Sequence, residues 1–233
     1  MKSSNQNNFF SDELICGIDE AGRGPVFGPL VLCGVCFLKD KLSYLTEIGV
    51  RDSKKLSPKR RHELAQLIKN SCHSYKIIIV TAQEIDDRER IRITINRLEE
   101  LKMAEIINIL KPDVIYIDAA DVNEERFGNS IKKLLEFKPR DIISRHKADD
   151  IYPIVSAGSI IAKDQRDTII EELKKEYGEI GSGYPSDKKT TDFLRKYIKT
   201  YKIIPDFVRK TWDTTKKLIN EELDTKKITD FLK

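Results

Sequence analysis

Two adjacent carboxylates followed by a glycine-flanked arginine, in Asp19-Glu20-Ala21-Gly22-Arg23-Gly24-Pro25, are the residues of this chain best suited to chemistry. Carboxylates attract cations, whereas the bare backbone around Gly22 and Gly24 and the multidentate Arg23 attract anions. Together they point to metal-assisted chemistry on a phosphate. Two further acids extend the set: Asp118, which closes the apolar run Val114-Ile115-Tyr116-Ile117, and Asp149, in Arg145-His146-Lys147-Ala148-Asp149-Asp150. Four carboxylates suit Mg2+ or Mn2+, and two such ions about 3.5–4 Å apart stabilise both the attacking and the leaving oxygen of a phosphodiester. Asp121, Glu124, Glu125 and Asp150 read as separate surface acids. His146 offers acid–base chemistry, but metal-assisted hydrolysis needs no protein base, which leaves this residue a supporting role.

The elements that must hold these groups follow from the apolar pattern. Leu14, Ile15, Cys16 and Ile18 have the composition of a buried strand ending at Asp19 and Glu20. Neighbouring strand residues face opposite sides, so both acids serve one site only if the chain reorients at Gly22 and Gly24. The run from Pro29 to Phe37 reads as a second strand, which excludes a dinucleotide-binding turn, because such a turn opens a helix. The chain also has no P-loop motif. Ser57-Pro58 reads as a helix start followed by an apolar face of Leu64, Leu67 and Ile68. A strand at 75–81 is followed by a charged segment reaching Thr94, to which no element is assigned. Leu98, Leu101, Ala104, Ile107 and Leu110 repeat at helical spacing up to Pro112. A strand at 113–117, a helix lined by Phe127, Ile131, Leu134 and Leu135, and a short strand at 142–144 follow. The longest helix runs from 154 to about 177, and Phe193, Leu194, Tyr197 and Ile198 form a last apolar stripe. Strands first, then strand–helix alternation, predict an α/β protein with a mixed sheet; the strand order is not encoded in local pattern.

At 233 residues the chain is long enough for one principal domain, with a small C-terminal appendage. Its 42 Lys and Arg against 38 Asp and Glu leave a net charge of only +4, so a nucleic-acid footprint must come from local clustering. The basic clusters at Lys54-Lys55, Lys59-Arg60-Arg61, Arg88 to Arg92, Lys188-Lys189 and Arg209-Lys210 each read as a solvated face. Residues 1–12 are polar, and the longest apolar stretch, near 30–38, is too short to span a bilayer, which predicts a cytoplasmic protein without a membrane partner. Cys33-x-x-Cys36 lies inside an apolar strand and lacks a second ligand pair, so the cysteines read as buried free thiols.

Several motifs, in order along the chain, carry a closer resemblance. They are Gly17-Ile18-Asp19-Glu20-Ala21-Gly22-Arg23-Gly24-Pro25, Asp52-Ser53-Lys54-Lys55-Leu56-Ser57, Tyr116-Ile117-Asp118-Ala119, Lys147-Ala148-Asp149 with Ser156-Ala157-Gly158-Ser159-Ile160-Ile161-Ala162-Lys163, and Gly183-Tyr184-Pro185-Ser186-Asp187. The set resembles type 2 ribonuclease H (ribonuclease HII) in its archaeal form, from residue 17 to about 212. That resemblance implies a ribonuclease H-like mixed sheet flanked by helices over 1–180, a helical C-terminal extension over 181–224 and a tail at 225–233. It implies a monomeric endoribonuclease that hydrolyses the RNA strand of RNA/DNA hybrids and nicks 5′ of a single ribonucleotide in duplex DNA. It makes Asp19, Glu20, Asp118 and Asp149 the catalytic ligands of two Mg2+ or Mn2+ ions. Gly22, Arg23 and Gly24 would contact the ribose 2′-hydroxyl and adjacent phosphates, Tyr184 the sugar at the RNA-to-DNA step, and Ser53 and Lys54 a phosphate. Lys163 and Arg166, at i and i+3 on one helix, are both expected to touch the duplex backbone. Gly158 departs from the alanine of many relatives and is expected to loosen the long helix slightly. A hybrid-binding protein without catalysis is the competing reading. It is disfavoured by four acids that repel phosphate unless cations intervene.

The segment Thr225-Lys226-Lys227-Ile228-Thr229-Asp230-Phe231-Leu232 resembles the C-terminal motif by which replication and repair enzymes dock on a sliding clamp, with Ile228, Phe231 and Leu232 as anchors. Thr225 stands where that motif has glutamine and Leu232 replaces a second aromatic residue. A terminal helix covering the domain is the alternative.

Overall fold

The apolar runs on either side of the glycine-rich turn become a hairpin of β1 (Leu14–Ala21) and β2 (Leu30–Leu38), paired antiparallel from Leu14↔Leu38 to Ala21↔Val31. The structure, a computed structural model, describes residues 12–50 and 56–223. A short 3-10 turn and α1 (Ser43–Glu47) follow the hairpin. α2 (Pro58–Ser71) starts as expected, with Ser57 Oγ accepting from Arg60 N at 3.3 Å and Pro58 in the first turn. β3 (Ser74–Val80) leads into α3 (Ala82–Arg90), which occupies the charged segment left unassigned above. Thr81 and Glu84 cap it reciprocally, and that Thr-x-x-Glu spacing was the available signal. Next come α4 (Ile95–Leu110), β4 (Val114–Asp118), α5 (Glu124–Lys132), β5 (Asp141–Arg145), α6 (Ala148–Ile151), α7 (Pro153–Tyr177), α8 (Lys188–Tyr201) and α9 (Asp213–Leu223). α5 stops before Leu134 and Leu135, two residues expected to line it.

The sheet order is β3-β2-β1-β4-β5, with β1–β4 and β4–β5 parallel, so the sheet is mixed. The chain clusters into two compact units, and most of the sheet belongs to the first, made of 1–21, 31–78 and 96–164. On one face Ile15, Val31, Cys33, Val35 and Phe37 pack with Leu64 and Ile68 of α2 and Ile154 to Ala162 of α7. On the other, Gly34 makes room for α4: a Cβ there would lie 3.1 Å from Leu110 Cδ1. α7 sits unusually close to the hairpin. A Cβ on Gly17 would fall within the Ile154 carbonyl, and one on Gly158 would lie 3.1 Å from Cys33 O and 3.2 Å from Gly17 O. Gly158 is therefore a close-approach residue, a packing role that the expectation of a loosened helix did not contain. All four cysteines are free, and burial pushes the Cys72 thiol up to about 11.

The second unit comprises 22–30, 79–95 and 165–233. Its core is Val26, Phe27, Ile170, Ile180, Leu194, Ile198, Val208 and Leu218, bordered by the aromatic rings of Tyr177, Phe193 and Phe207. Arg195 on α8 pairs with Glu221 and Glu222 on α9. Among the described residues, no helix is long and apolar enough to cross a membrane.

Candidate active site

The parallel register places two of the acids. β1 pairs with β4 through Ile18↔Ile117, and one residue further sets Asp118 beside Asp19 on the same face. Adjacent strands run about 4.8 Å apart, so two carboxylates meet at neighbouring strand ends. Asp19 is only 4% exposed. Burial raises its pKa well above the usual carboxylate range, and the charges of Glu20 and Asp118 raise it further. Hydrogen bonds from Ser159 on α7 and from the Glu20 amide, 2.7 Å from Asp19 Oδ1, act in the opposite direction. β1 continues through both acids to Ala21, so the reorientation expected before Gly22 is absent; Asp19 is buried and Glu20 half-buried, and the Glu20 charge still stands near enough to Asp19 to raise its pKa.

Asp149 arrives from a different element. Lys147 adopts a left-handed conformation, φ 54°, just before α6, and the first amide of that helix, Ala148 N, donates to Asp118 Oδ1 at 2.9 Å. Asp149 follows, 6% exposed. Glu124 braces the same turn by accepting from His146 N at 2.7 Å and Arg145 Nη1 at 3.0 Å, bonds that hold its carboxyl below the usual range. His146 is exposed, its ring nitrogens 3.3 Å from Ala119 O and 3.2 Å from Val122 O. Asp121 is not the surface acid expected. It is 6% exposed and accepts from Asn123 N, Asn96 and Arg126, which lowers its pKa to about 2.

Among the described residues, no three acid, histidine or cysteine side chains form a ready-made cage for one ion. What fits a hard cation is the donor chemistry: Asp19, Glu20 and Asp118 offer only oxygen, and their charges stand near enough together to resist ionisation of Asp19. A divalent cation relieves that repulsion.

In the second unit, the glycine-rich loop gathers a different set. Gly22 and Gly28 have φ of +90° and +79°, a region that favours glycine. A Cβ on Gly22 would lie 2.5 Å from Arg166 Cδ and 2.6 Å from Pro29 O. Arg166 is 3% exposed, its guanidinium 5.8 Å from the Tyr184 ring and its Nη2 3.4 Å from Phe27 O. Its buried Nε has no hydrogen-bond partner. A Cβ on Gly24 would lie 3.8 Å from the same ring, and Tyr184 itself is 41% exposed. Gly22, Gly24, Arg166 and Tyr184 thus come together, with Arg23 between the two glycines. Of the two residues expected to touch the duplex backbone, Lys163 is half-buried and Arg166 is buried. Ser53 and Lys54, and the tail anchors Ile228, Phe231 and Leu232, lie outside the described residues.

Arg209 is the residue that sequence reasoning missed. Read as part of a solvated basic pair, it is fully buried and donates to Gly22 O at 2.5 Å, Arg23 O at 2.8 Å and Gly28 O at 2.9 Å. Trp212 Nε1 lies 3.3 Å from Gly24 O. No local periodicity marks such a role, because the acceptors stand more than 180 positions away.

The chain is similar to known proteins over most of its length. A family model described as Ribonuclease HII matches residues 16–215. The chain is 50% identical over 206 residues to the ribonuclease HII of Thermococcus onnurineus, covering 88% of this chain and 89% of that one. The crystal structure of ribonuclease H2 from Pyrococcus horikoshii OT3 is similar with a TM-score of 0.85 at 43% identity, covering 90% of this chain and 99% of that one. Archaeoglobus fulgidus RNase HII, solved in complex with PCNA, gives 0.81 at 41%, covering 91% and 99%. A match spanning both units, at identities far above the level at which only a fold is shared, puts this chain in the ribonuclease HII family.

Proposed function

We propose that this chain hydrolyses the RNA strand of RNA/DNA hybrids and nicks 5′ of a single ribonucleotide in duplex DNA, with two divalent cations. The observation that carries the reading is Asp19, a buried acid in a ribonuclease HII-family chain whose ionisation is opposed by two further carboxylates. Asp19, Glu20, Asp118 and Asp149 would hold Mg2+ or Mn2+, which when bound supplies the charge that stabilises the attacking and leaving oxygens. The protein's own work is positional. Ser159 and the Glu20 amide orient Asp19, and the Ala148 amide orients Asp118, so the acids need little reorganisation to serve a cation. The Gly22–Gly24 loop offers amides to the 2′-hydroxyl, Arg166 adds positive charge beside it, and the exposed Tyr184 ring offers an apolar face to the adjoining sugar. Lys163, Ser53 and Lys54 are assigned to phosphate contacts.

The test uses three duplexes: one with a single ribonucleotide, an RNA/DNA hybrid and plain DNA, each with Mg2+, Mn2+ or chelator. Cleavage of the first two only, abolished by chelator, is the expected result; metal-independent cutting or cutting of plain DNA refutes the reading. Replacing the critical 2′-hydroxyl by hydrogen should stop cleavage. Tyr184→Ala should slow cutting at the ribonucleotide junction more than in a uniform hybrid, and equal losses would remove Tyr184 from junction recognition. The PCNA complex of the Archaeoglobus fulgidus relative supports a clamp-docking role for Ile228, Phe231 and Leu232. Deleting 228–233 should then abolish clamp binding, measured by calorimetry, while leaving cleavage of a short duplex intact. Undiminished clamp affinity would exclude the tail.

A further inference from the structure

Three successive carbonyls of the glycine-rich loop are held by side chains of one short segment, 209–212. Arg209 takes Gly22 O and Arg23 O, while Trp212 takes Gly24 O. In a trans peptide the C=O of one residue and the N–H of the next point in opposite directions. Turning the Gly22 and Arg23 carbonyls toward Arg209 therefore directs the N–H groups of Arg23 and Gly24 away from it. The third peptide contributes no donor, because the residue after Gly24 is Pro25.

We propose that Arg209, aided by Trp212, is a positioning residue that presets the Arg23 and Gly24 amides as a pair of outward donors for oxygen atoms of the RNA strand. The inference rests on the proposed function for the identity of the ligand, and on the hydrogen bonds alone for the direction of the amides. Among the described residues, every side-chain hydrogen bond of Arg209 ends on a carbonyl oxygen of residues 22, 23 or 28. Its charge thus acts on peptide dipoles, and a peptide polarised at its oxygen is a stronger donor at its nitrogen. Burial and the charge of Arg166 push the Arg209 pKa down to about 9, which keeps it charged at neutral pH.

The segment bearing these two side chains is itself anchored. Arg209 N donates to Val26 O at 2.8 Å and Gly28 N to Phe207 O at 2.8 Å, so backbone bonds flank the guanidinium. Asp86 on α3 accepts from Lys210 N at 2.7 Å, Thr211 N at 3.0 Å and Thr211 Oγ1 at 2.7 Å. The guanidinium carbons of Arg88 and Arg209 each lie 4.9 Å from the Trp212 ring. α3 therefore braces residues 209–212, and residues 209–212 brace the loop.

The test compares full-length wild type with Arg209→Gln, Arg209→Lys and Trp212→Phe. Backbone amide shifts and hydrogen exchange of Arg23 and Gly24 are measured by NMR in the free protein, and KM and kcat are measured on the single-ribonucleotide duplex. Arg209→Gln should move both amides and raise KM by about tenfold, the effect of about 1.4 kcal/mol of lost orientation, with a smaller change in kcat. Arg209→Lys should restore part of the loss, and Trp212→Phe, which removes one donor, should move Gly24 and its neighbours only slightly. A folded Arg209→Gln protein whose Arg23 and Gly24 amides are unmoved overturns the inference. If that variant does not fold, unmoved amides in Arg209→Lys and Trp212→Phe overturn it instead. A wild type that cuts no ribonucleotide substrate defeats the proposed function, yet the amide measurement still decides whether Arg209 orients the loop.

Discussion

Asp118 separates catalytic from structural roles because its two functions respond to different substitutions. As a proposed cation ligand it needs its charge; as the acceptor for Ala148 N at 2.9 Å it needs only an oxygen. Asp118→Asn keeps an acceptor of the same shape and removes a charge that opposes ionisation of Asp19, so its stability should be close to that of the wild type. Asp118→Ala removes the same charge and also strands the Ala148 amide. The two variants therefore differ by about one hydrogen bond, about 1–2 kcal/mol. For a chain of this size that corresponds to a melting temperature about 2–8 °C lower for the alanine variant. Both should lose at least about a hundredfold in kcat, the scale seen when an electrostatic partner of the transition state is removed. Calorimetric melting and single-turnover cleavage of a ribonucleotide duplex give the two readouts. Turnover of Asp118→Asn within tenfold of wild type would refute the cation-ligand role; equal melting temperatures of the two variants would refute the hydrogen-bond argument.

Gly17→Ala should cost about 1–3 kcal/mol, because its Cβ would fall within the Ile154 carbonyl and push α7 off β1, and an unchanged urea midpoint would mean that α7 has slack. Thr81→Ala removes one half of the capping box of α3 and should cost about 1 kcal/mol; a smaller shift in denaturation midpoint than about 0.3 kcal/mol implies would show that the cap is redundant. Asp121 has a pKa lowered from 3.8 to about 2, so it stabilises the fold above the unfolded value and that contribution disappears as pH falls through about 2. The stability advantage of wild type over Asp121→Asn should accordingly hold at neutral pH and shrink between about pH 4 and pH 2, and a gap that persists to pH 2 would exclude the linkage.

The apolar runs of β1, β2 and β4, the Ser57-Pro58 start of α2 and the length of α7 were legible because each rests on local composition or spacing. The four acids proposed as cation ligands stand out in the same way, because their neighbours along the chain form recognisable motifs. Three things were not local. The placement of Asp118 beside Asp19 depends on β4 pairing parallel with β1, and no residue near either acid encodes that partner. The burial of Asp121 depends on what packs over it, whereas charge alone suggested a surface acid. Arg209 is the clearest case: beside Lys210 it looks like any exposed basic pair, and only a chain returning after more than 180 residues surrounds it with carbonyls. Sequence by itself determined which groups are available for chemistry, because residue type and local spacing set what an element exposes along its length. Tertiary structure decided which of them meet and which way the loop amides point, because sheet register and long-range hydrogen bonds form only between segments distant in the chain.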